Sequence, residues 1–177
     1  MRMRRIAILG PESTGKTWLS ERLAAHFGCK WVKEFARDYL STLNHPYTLE
    51  DVVHCREEQL KAEDKSLKDW NGRIFFDTDA TINFAVWLDE KYGFHPTEND
   101  LTDQPRYDCY LLTAPDLPFE PDPLRENPHK REHLFNRYQK AIILSGIPYR
   151  IVSGTGDERL NNAIAALHEL EESASTT

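Results

Sequence analysis

The sequence has no apolar run near the ~20 residues that a membrane-spanning helix needs. It opens with the basic segment MRMRR, but the apolar stretch that follows ends at Gly10 and runs into a charged helix. That stretch is too short and too interrupted for a secretory signal. We therefore expect a cytoplasmic protein with no membrane partner.

Cysteine is also scarce. The chain has three, Cys29, Cys55 and Cys109, which are odd in number and widely separated. This spacing excludes a disulfide framework and a zinc ribbon, which both need paired cysteines at short intervals. The seven histidines share no metal-ligand spacing either. We expect free thiols in a reducing compartment and no zinc site.

An excess of positive charge is missing as well. The formal net charge is −7, which argues against nonspecific nucleic-acid binding, because that binding depends on a cationic surface. A locally cationic pocket stays possible. The 177 residues, 40% of them hydrophobic, suffice for one well-buried domain covering residues 1–177. The last residues, about 172–177, have the composition of a disordered tail.

Short β-rich runs alternate with longer helical patterns along the chain. The predicted strands are Arg5–Leu9, Lys30–Lys33, Arg73–Asp77, Tyr107–Leu112 and Tyr149–Val152. Helices are predicted near 16–27, 35–43, 49–70, 79–92, 130–145 and 157–171. Strands separated by helices predict right-handed crossovers and a parallel sheet covered on both faces. The expected fold is a three-layer α/β sandwich, and the helix at 79–92 is apolar enough to be deeply buried or to line a pocket.

Residues 113–132 differ from the rest in composition. They hold five of the ten prolines and several cations. A proline-rich segment is neither a central strand nor a regular helix, so it is predicted to be a long surface connection. Long ordered connections often serve as lids. We expect one α/β domain with a Pro/Arg-rich lid.

The segment GPESTGKT, Gly10–Thr17, fits the pattern G-x-x-x-x-G-K-[ST] between a predicted strand and a predicted helix. Its glycines let backbone amides point at a phosphate next to the positive end of a helix dipole. Lys16 adds a charge between two phosphates and the Thr17 hydroxyl completes a Mg²⁺ shell. We predict a P-loop for Mg·ATP. Trp18, the next residue, either packs on the helix or touches the nucleotide. The predicted nucleotide-binding residues are Gly10, Glu12, Ser13, Thr14, Gly15, Lys16, Thr17 and Trp18.

The run RIFFDTD supplies an acid where the P-loop needs one. Asp77 closes an apolar strand and should emerge at the carboxyl edge of the sheet, where ligands of open α/β sheets bind. We expect it to hold the metal together with Thr17. Asp79 begins the next helix, and its two interpretations, a helix N-cap and a substrate contact, are equally favoured.

Three features favour a small-molecule kinase over a GTPase or a mechanical ATPase. The chain has no NKxD base-reading motif. The lid carries the cations Arg125, Lys130 and Arg131, which phosphoryl transfer uses to neutralise charge on the transferred group. Glu34 and Arg37 follow the second predicted strand and face the same edge as Asp77. Glu34 and Asp77 are both candidates for the base that accepts a hydroxyl proton.

Five segments together resemble a known family: GPESTGKT, EFARDYL, FFDTD, VWLDEKYG and PDLPFEPDPLRENPHKRE, in order from Ile6 to about Arg159. The sequence resembles the ribosylnicotinamide kinase domain of NadR-type proteins. That resemblance implies a P-loop kinase fold and transfer of the γ-phosphoryl group of Mg·ATP to the 5′-hydroxyl of nicotinamide riboside. It also implies that residues 153–159 lie near adenine. The H-x-G-H motif of the family's adenylyltransferase domain is absent, so we expect that second reaction to be absent.

By position, the resemblance implies roles for residues outside the P-loop. Asp77 is similar to the Walker B acid, and Arg125 and Arg131 to the lid arginines. The expected catalytic residues are Lys16, Glu34, Asp77, Arg125 and Arg131, and the expected substrate-binding residues are Glu34, Phe35, Arg37, Asp79 and Trp87.

One position departs from the family pattern. Some members have an aromatic residue directly before the glutamate, suited to stacking on nicotinamide, but this chain has Lys33 there. Trp31, Phe35, Tyr39 or Trp87 would have to stack instead. Two alternatives stay open, a kinase for another nucleoside or nucleoside monophosphate and a regulatory ATPase without a small-molecule acceptor. Arg56 and Gln59 on the long helix are expected on its solvated face.

Overall fold

A computed structural model describes residues 3–95 and 106–175 of the chain. Its centre is a parallel sheet of five strands in the order β2-β3-β1-β4-β5. The strands are β1 (Arg5–Leu9), β2 (Lys30–Val32), β3 (Ile74–Asp77), β4 (Cys109–Thr113) and β5 (Tyr149–Val152). All five lie within two residues of their predicted positions. The α/β fold predicted from the sequence is confirmed.

Helices cover both faces of the sheet. Within the described ranges they are α1 (Lys16–Phe27), α2 (Phe35–Ser41), α3 (Leu49–Lys68), α4 (Ile82–Tyr92), α5 (Arg131–Ser145) and α6 (Gly156–Ser173). Among these described helices, none combines the length and apolar character needed to cross a bilayer. The strand-helix alternation therefore produces the three layers that it predicts.

The alternation of β1 side chains shows how the two core layers form. Ile6 and Ile8 pack with α1 and α6 on one face, whereas Ala7 and Leu9 pack with α4 and α5 on the other. All four side chains are fully buried. A strand that is apolar on both faces is typical of a central strand in a covered parallel sheet. A third, smaller cluster joins α2, α3 and α4 beside the carboxyl edge of the sheet.

Helix boundaries differ from the predictions by one to three residues: α2 and α3 each end two residues early, at Ser41 and Lys68, and two further differences bear on the predicted roles. The helix predicted from residue 79 begins at Ile82, because Asp79 receives the first helical amides and so lies before the helix. The last helix, α6, runs to Ser173, two residues into the segment expected to be a disordered tail. The proline-rich segment has no helix or strand over residues 114–130, as its composition predicts. Helix α4 also buries Ile82, Phe84 and Val86, consistent with its apolar pattern.

The turn from β1 into α1 requires glycine at its first position. Gly10 has φ +153°, and a Cβ there would lie 2.2 Å from Thr113 Oγ1 and 2.8 Å from the Thr113 carbonyl oxygen. Thr113 ends β4, the neighbour of β1, so the P-loop passes directly against the adjacent strand. This close approach is incompatible with any side chain.

We predict that Gly10→Ala destabilises the protein by more than Gly28→Ala. Gly28 ends α1 at φ +60°, and no heavy atom lies within 4 Å of the position that a Cβ would take, so alanine there meets backbone strain alone. That strain costs about 1–2 kcal/mol, and the collision with Thr113 adds about 1–3 kcal/mol more. Urea unfolding of both variants measures the difference. Equal destabilisation would contradict the close approach.

Candidate active site

A cavity of about 1030 Å³ lies at the carboxyl edge of the sheet. It is enclosed by the P-loop, by α2 and α4, and by the proline-rich segment 114–130, which we call the lid. Each of the five strands contributes a lining residue from the segment that follows it, namely Gly10, Glu34, Thr78, Leu117 and Gly156. The cavity is therefore at the place where open parallel sheets bind ligands.

The P-loop, residues 10–17, has two residues in the left-handed region of φ/ψ space, and the Lys16 side chain folds back over the loop. Ser13 has φ +59° and Gly15 has φ +73°. The Lys16 ammonium donates to the carbonyls of Gly10 and Pro11, both at 2.9 Å. The fully buried Thr14 hydroxyl lies 2.8 Å from the Pro11 carbonyl oxygen and fixes the loop from below. The loop amides and the α1 N-terminus make a concave anion site.

The Thr17 hydroxyl and the Asp77 carboxylate lie together below the P-loop. Thr17 Oγ1 donates to Asp77 Oδ2 at 2.6 Å. The other carboxylate oxygen, Asp77 Oδ1, is buried and has no hydrogen-bond partner among the described residues. Burial raises the pKa of Asp77 above its ordinary value, opposed by the Thr17 hydrogen bond and by Lys16. A hydroxyl and an unsatisfied carboxylate oxygen are ligands that Mg²⁺ accepts, so this pair fits the metal that the motif predicts.

Glu34 follows β2 and lines the cavity opposite the P-loop. Desolvation by the surrounding protein raises the pKa of its carboxyl to about 7, with Asp77 and Glu12 adding to the rise and Lys16 and Arg37 opposing it. A carboxylate with a pKa near neutrality is suited to accept a proton from a hydroxyl. Asp77 is engaged by Thr17, so of the two candidate bases Glu34 is the one that faces the cavity.

The lid is hydrogen-bonded directly to the P-loop. The Glu12 carboxylate accepts the backbone amides of Glu126 at 3.1 Å and Asn127 at 3.0 Å. Ser13 Oγ accepts the backbone amide of Glu120 at 2.8 Å and an Arg125 guanidinium N–H at 3.0 Å.

Arg131, the first residue of α5 directly after the lid, binds the same loop. Arg131 Nη2 donates to the Ser13 carbonyl at 3.1 Å. Both predicted arginines, Arg125 and Arg131, therefore contact the P-loop. Arg125 and Lys130 line the cavity, whereas Arg131 is not among its described lining residues.

The far end of the cavity is aromatic and carries several charges. Trp87 Nε1 donates to the Tyr47 hydroxyl at 3.1 Å, and that hydroxyl donates to Glu126 Oε2 at 2.8 Å. Lys91 also binds Glu126 and lies 3.5 Å from the centre of the Tyr47 ring. Arg37 forms an ion pair with Asp122 of the lid. The lid thus contacts both the P-loop and the aromatic end.

Two residues expected to bind substrate lie elsewhere. Asp79 is fully buried, accepts the amides of Ile82 and Asn83, and is not among the described residues lining the cavity. This geometry corresponds to the N-cap alternative rather than to the substrate contact. Phe35 packs with Tyr39 and His54 outside the lining, because its place on the first turn of α2 directs it toward α3.

Four further residues named from the sequence can be placed by the same contacts. Trp18 both lines the cavity and packs against the core cluster beside α1. The Lys33 ammonium is held by both oxygens of Asp38 at 2.7–2.8 Å on the exposed surface. Lys33 is therefore not among the described residues that line the cavity. The prediction that Gln59 lies on a solvated helix face was wrong, since its side chain is buried against the start of α2. Arg56 is exposed as expected.

Tyr47 is a site residue that the sequence interpretation missed, and Arg159 was named only as the end of the segment 153–159, which the family resemblance places near adenine; Gly156 and Arg159 of that segment line the cavity. Arg159 is 1% exposed and its guanidinium donates to the carbonyls of Thr14 at 3.0 Å and Ala114 at 2.9 Å, which ties the P-loop to the lid's first residue. A charged residue near the start of an amphipathic helix is usually solvated, so the sequence gives only a weak signal for it. Tyr47 lies in a loop between helices, where no periodicity exists to mark it.

Comparison with known proteins finds relatives both in sequence and in structure. In sequence, the chain is 30% identical over 129 residues to the trifunctional NAD biosynthesis/regulator protein NadR of Salmonella typhimurium. The aligned region covers 70% of this chain and 31% of the relative. The chain therefore spans about a third of the length of that curated relative.

Solved structures of NadR agree in fold. NadR in complex with NR superimposes with a TM-score of 0.76 at 24% identity, covering 94% of this chain and 51% of the other. NadR in complex with NAD and AMP-PNP gives 0.72 at 22% identity, covering 94% and 49%. A family model described as an AAA domain matches residues 5–159. Because this match spans most of the chain, from β1 into α6, the chain belongs to the AAA domain family AAA_28.

Proposed function

We propose that the protein is a kinase that transfers the γ-phosphoryl group of ATP to the 5′-hydroxyl of nicotinamide riboside, giving nicotinamide mononucleotide. The observation that carries the proposal is the cavity that joins a P-loop, the facing carboxylate of Glu34 and a lid bonded to that loop. The similarity to NadR, whose structure in complex with NR has the same fold, favours this acceptor.

The P-loop side of the cavity is suited to the triphosphate. Its amides and the α1 N-terminus bind anionic oxygens, and the Lys16 ammonium can exchange two carbonyl partners for phosphate oxygens. Thr17 and Asp77 Oδ1 would hold Mg²⁺. When bound, the metal neutralises charge on the β- and γ-phosphate oxygens. The AMP-PNP in a NadR structure supports ATP as the donor.

Glu34 is assigned as the proton acceptor. It faces the cavity with a pKa raised to about 7, so it is half ionised near neutral pH and binds a proton readily. The acceptor hydroxyl is oriented by Glu34 and gives up its proton to that carboxylate as the phosphoryl group transfers. Because the transition state of phosphoryl transfer is loose, orientation contributes at least as much as basicity.

The lid arginines are assigned to charge neutralisation and to exclusion of water. The Arg125 side chain is 18% exposed, and the described contacts hold it over the P-loop through Ser13. Arg131 is not among the described residues lining the cavity, so its charge would act on the phosphates through the P-loop, whose Ser13 carbonyl it binds. A closed lid removes water that would otherwise accept the phosphoryl group.

The aromatic end of the cavity suits a pyridinium ring. Tyr47 and Trp87 line it, together with the carboxylates of Glu90 and Glu126 and the Lys91 ammonium, which is paired with Glu126 and covers one face of Tyr47, so Trp87 is the aromatic residue assigned to the ring. Aromatic faces and carboxylates favour a cationic ring, whereas a free ammonium would repel it. The Lys33 ammonium is paired with Asp38, so the lysine before Glu34 does not present a free positive charge to a pyridinium ring in the cavity.

The direct test is incubation of the protein with Mg·ATP and nicotinamide riboside, followed by mass spectrometry for the 5′-monophosphate. We expect product from wild type and from Lys33→Ala, whose ammonium lies outside the cavity, but none from Lys16→Ala. ATP turnover that is unchanged by the presence of any nucleoside would favour a regulatory ATPase. Phosphorylation of other nucleosides alone would retain the kinase and reject the acceptor.

The pH dependence should report the Glu34 carboxyl. With a pKa of about 7, the ionised base is lost as the pH falls through 7, and kcat/KM should then decrease about tenfold per pH unit. Glu34→Gln should lower the rate about 10²- to 10⁴-fold and remove this acidic limb. Rate profiles between pH 5.5 and 8.5 measure both effects. An acidic limb that persists in Glu34→Gln would assign it to another group.

We expect Arg125→Ala to lower kcat far more than it weakens ATP binding. The guanidinium is placed to act on the transferring group, and loss of such a cation in related chemistry costs about 10³–10⁵ in kcat. Steady-state kinetics and calorimetric titration of ATP separate the two quantities. Arg4→Ala removes an exposed guanidinium at the opposite end of β1 and serves as the control. A variant that merely binds ATP more weakly contradicts the assignment.

A further inference from the structure

The first residue of α2, directly after Glu34, is held by a side chain from another helix. The backbone N–H of Phe35 donates to Gln59 Oε1 at 2.8 Å, and Gln59, on α3, is 1% exposed. The first amides of a helix have no partner within the helix, and the N-cap side chain usually accepts one of them. Here Glu34 is the N-cap and makes no such side-chain bond among the described residues.

The neighbouring strand end shows the opposite arrangement. The Asp79 carboxylate accepts the amides of Ile82 at 2.8 Å and Asn83 at 2.7 Å and so satisfies the start of α4 itself. Asp79 is fully buried and does not reach the described cavity lining, whereas Glu34 does. A carboxylate that caps its own helix is thus withdrawn from the cavity. Glu34, at the N-cap, keeps its side chain in the cavity, and Gln59 holds the first amide of α2, which an N-cap side chain does not usually reach.

The orientation of Gln59 is fixed by further buried contacts. Its Nε2 donates to Glu63 Oε1 at 3.5 Å, which directs the amide oxygen toward Phe35. Glu63 also accepts the Tyr107 hydroxyl at 2.9 Å, and that hydroxyl accepts the amide of Ala80 at 2.8 Å. Helix α3 therefore holds the segment that follows β2, which carries the proposed base, and the segment that follows β3, directly after the proposed metal ligand Asp77.

We propose that Gln59 is a positioning residue that holds the start of α2 and so keeps the Glu34 carboxylate directed into the cavity. This inference rests on the proposed kinase function, in which Glu34 accepts the proton. Gln59 itself is buried behind α2 and touches no substrate. A displacement of Glu34 by about 1 Å is enough to lower a phosphoryl-transfer rate about 10²-fold.

The test compares Gln59→Met, which keeps the size of the side chain but removes the acceptor, with the double variant Gln59→Glu/Glu63→Gln, which exchanges the two side chains and keeps an acceptor for Phe35. Gln59→Met should lower kcat about 10- to 100-fold with KM for ATP within about twofold of wild type, since the P-loop is untouched. The double variant should recover most of the loss, because it restores the acceptor without placing two buried carboxylates together. Gln139→Met is the control, because Gln139 on α5 bonds Tyr149 of β5, the strand at the opposite edge of the sheet from β2.

A second measurement does not depend on activity. Amide hydrogen exchange by NMR should be at least about tenfold faster at Phe35 in Gln59→Met than in wild type, and unchanged in Gln139→Met and in the double variant. Wild-type kcat and Phe35 exchange in Gln59→Met would overturn the positioning role alone, even if that variant is less stable. Wild type that phosphorylates no nucleoside at all would overturn the kinase proposal and this inference together.

Discussion

The parallel register of β1 and β3 is the constraint on which the site depends. Ile8 pairs with Asp77, so the acid at the end of β3 lies level with the last residues of β1, where the P-loop begins. The Thr17 hydroxyl then reaches Asp77 at 2.6 Å. A shift of one residue would turn Asp77 to the other face of the sheet, because strand side chains alternate. The P-loop motif accounts for a phosphate site by itself, but this register adds the proposed metal ligand.

The carboxylates around the cavity have different tasks because their hydrogen bonds differ. Asp79 is occupied by amides at the start of α4, Asp77 by the Thr17 hydroxyl, and Glu12 by lid amides. Glu34 lies among these charges and is desolvated by the protein, which raises its pKa to about 7. Four carboxylates therefore have four roles, as a helix cap (Asp79), a proposed metal ligand (Asp77), a contact to the lid (Glu12) and a proposed base (Glu34), and the partner of each carboxylate decides which.

The sequence predicts what is encoded locally. The P-loop, the five strands and the acid of β3 each lie within one short segment, so pattern and spacing identify them. The contacts that complete the site join distant segments, such as Glu12 with Asn127 or Arg159 with Thr14. Gln59 was expected to be solvated because a glutamine on a charged helix usually is; only the packing of α3 on α2 shows otherwise. Sequence reasoning identifies the residue type, whereas the partner depends on how distant segments pack.

An acidic residue in an anion-binding loop requires a physical explanation, and the lid provides one. A carboxylate a few ångströms from a triphosphate would repel it by about 1 kcal/mol or more, depending on the local dielectric. Glu12 instead directs its oxygens at the amides of Glu126 and Asn127. Each amide offsets part of that charge while the lid is closed. Glu126 also binds Tyr47 and Lys91 at the aromatic end, so lid closure links the two ends of the cavity. In the proposed kinase, the contacts of Glu12 with the lid would therefore make a closed lid and triphosphate binding mutually favourable.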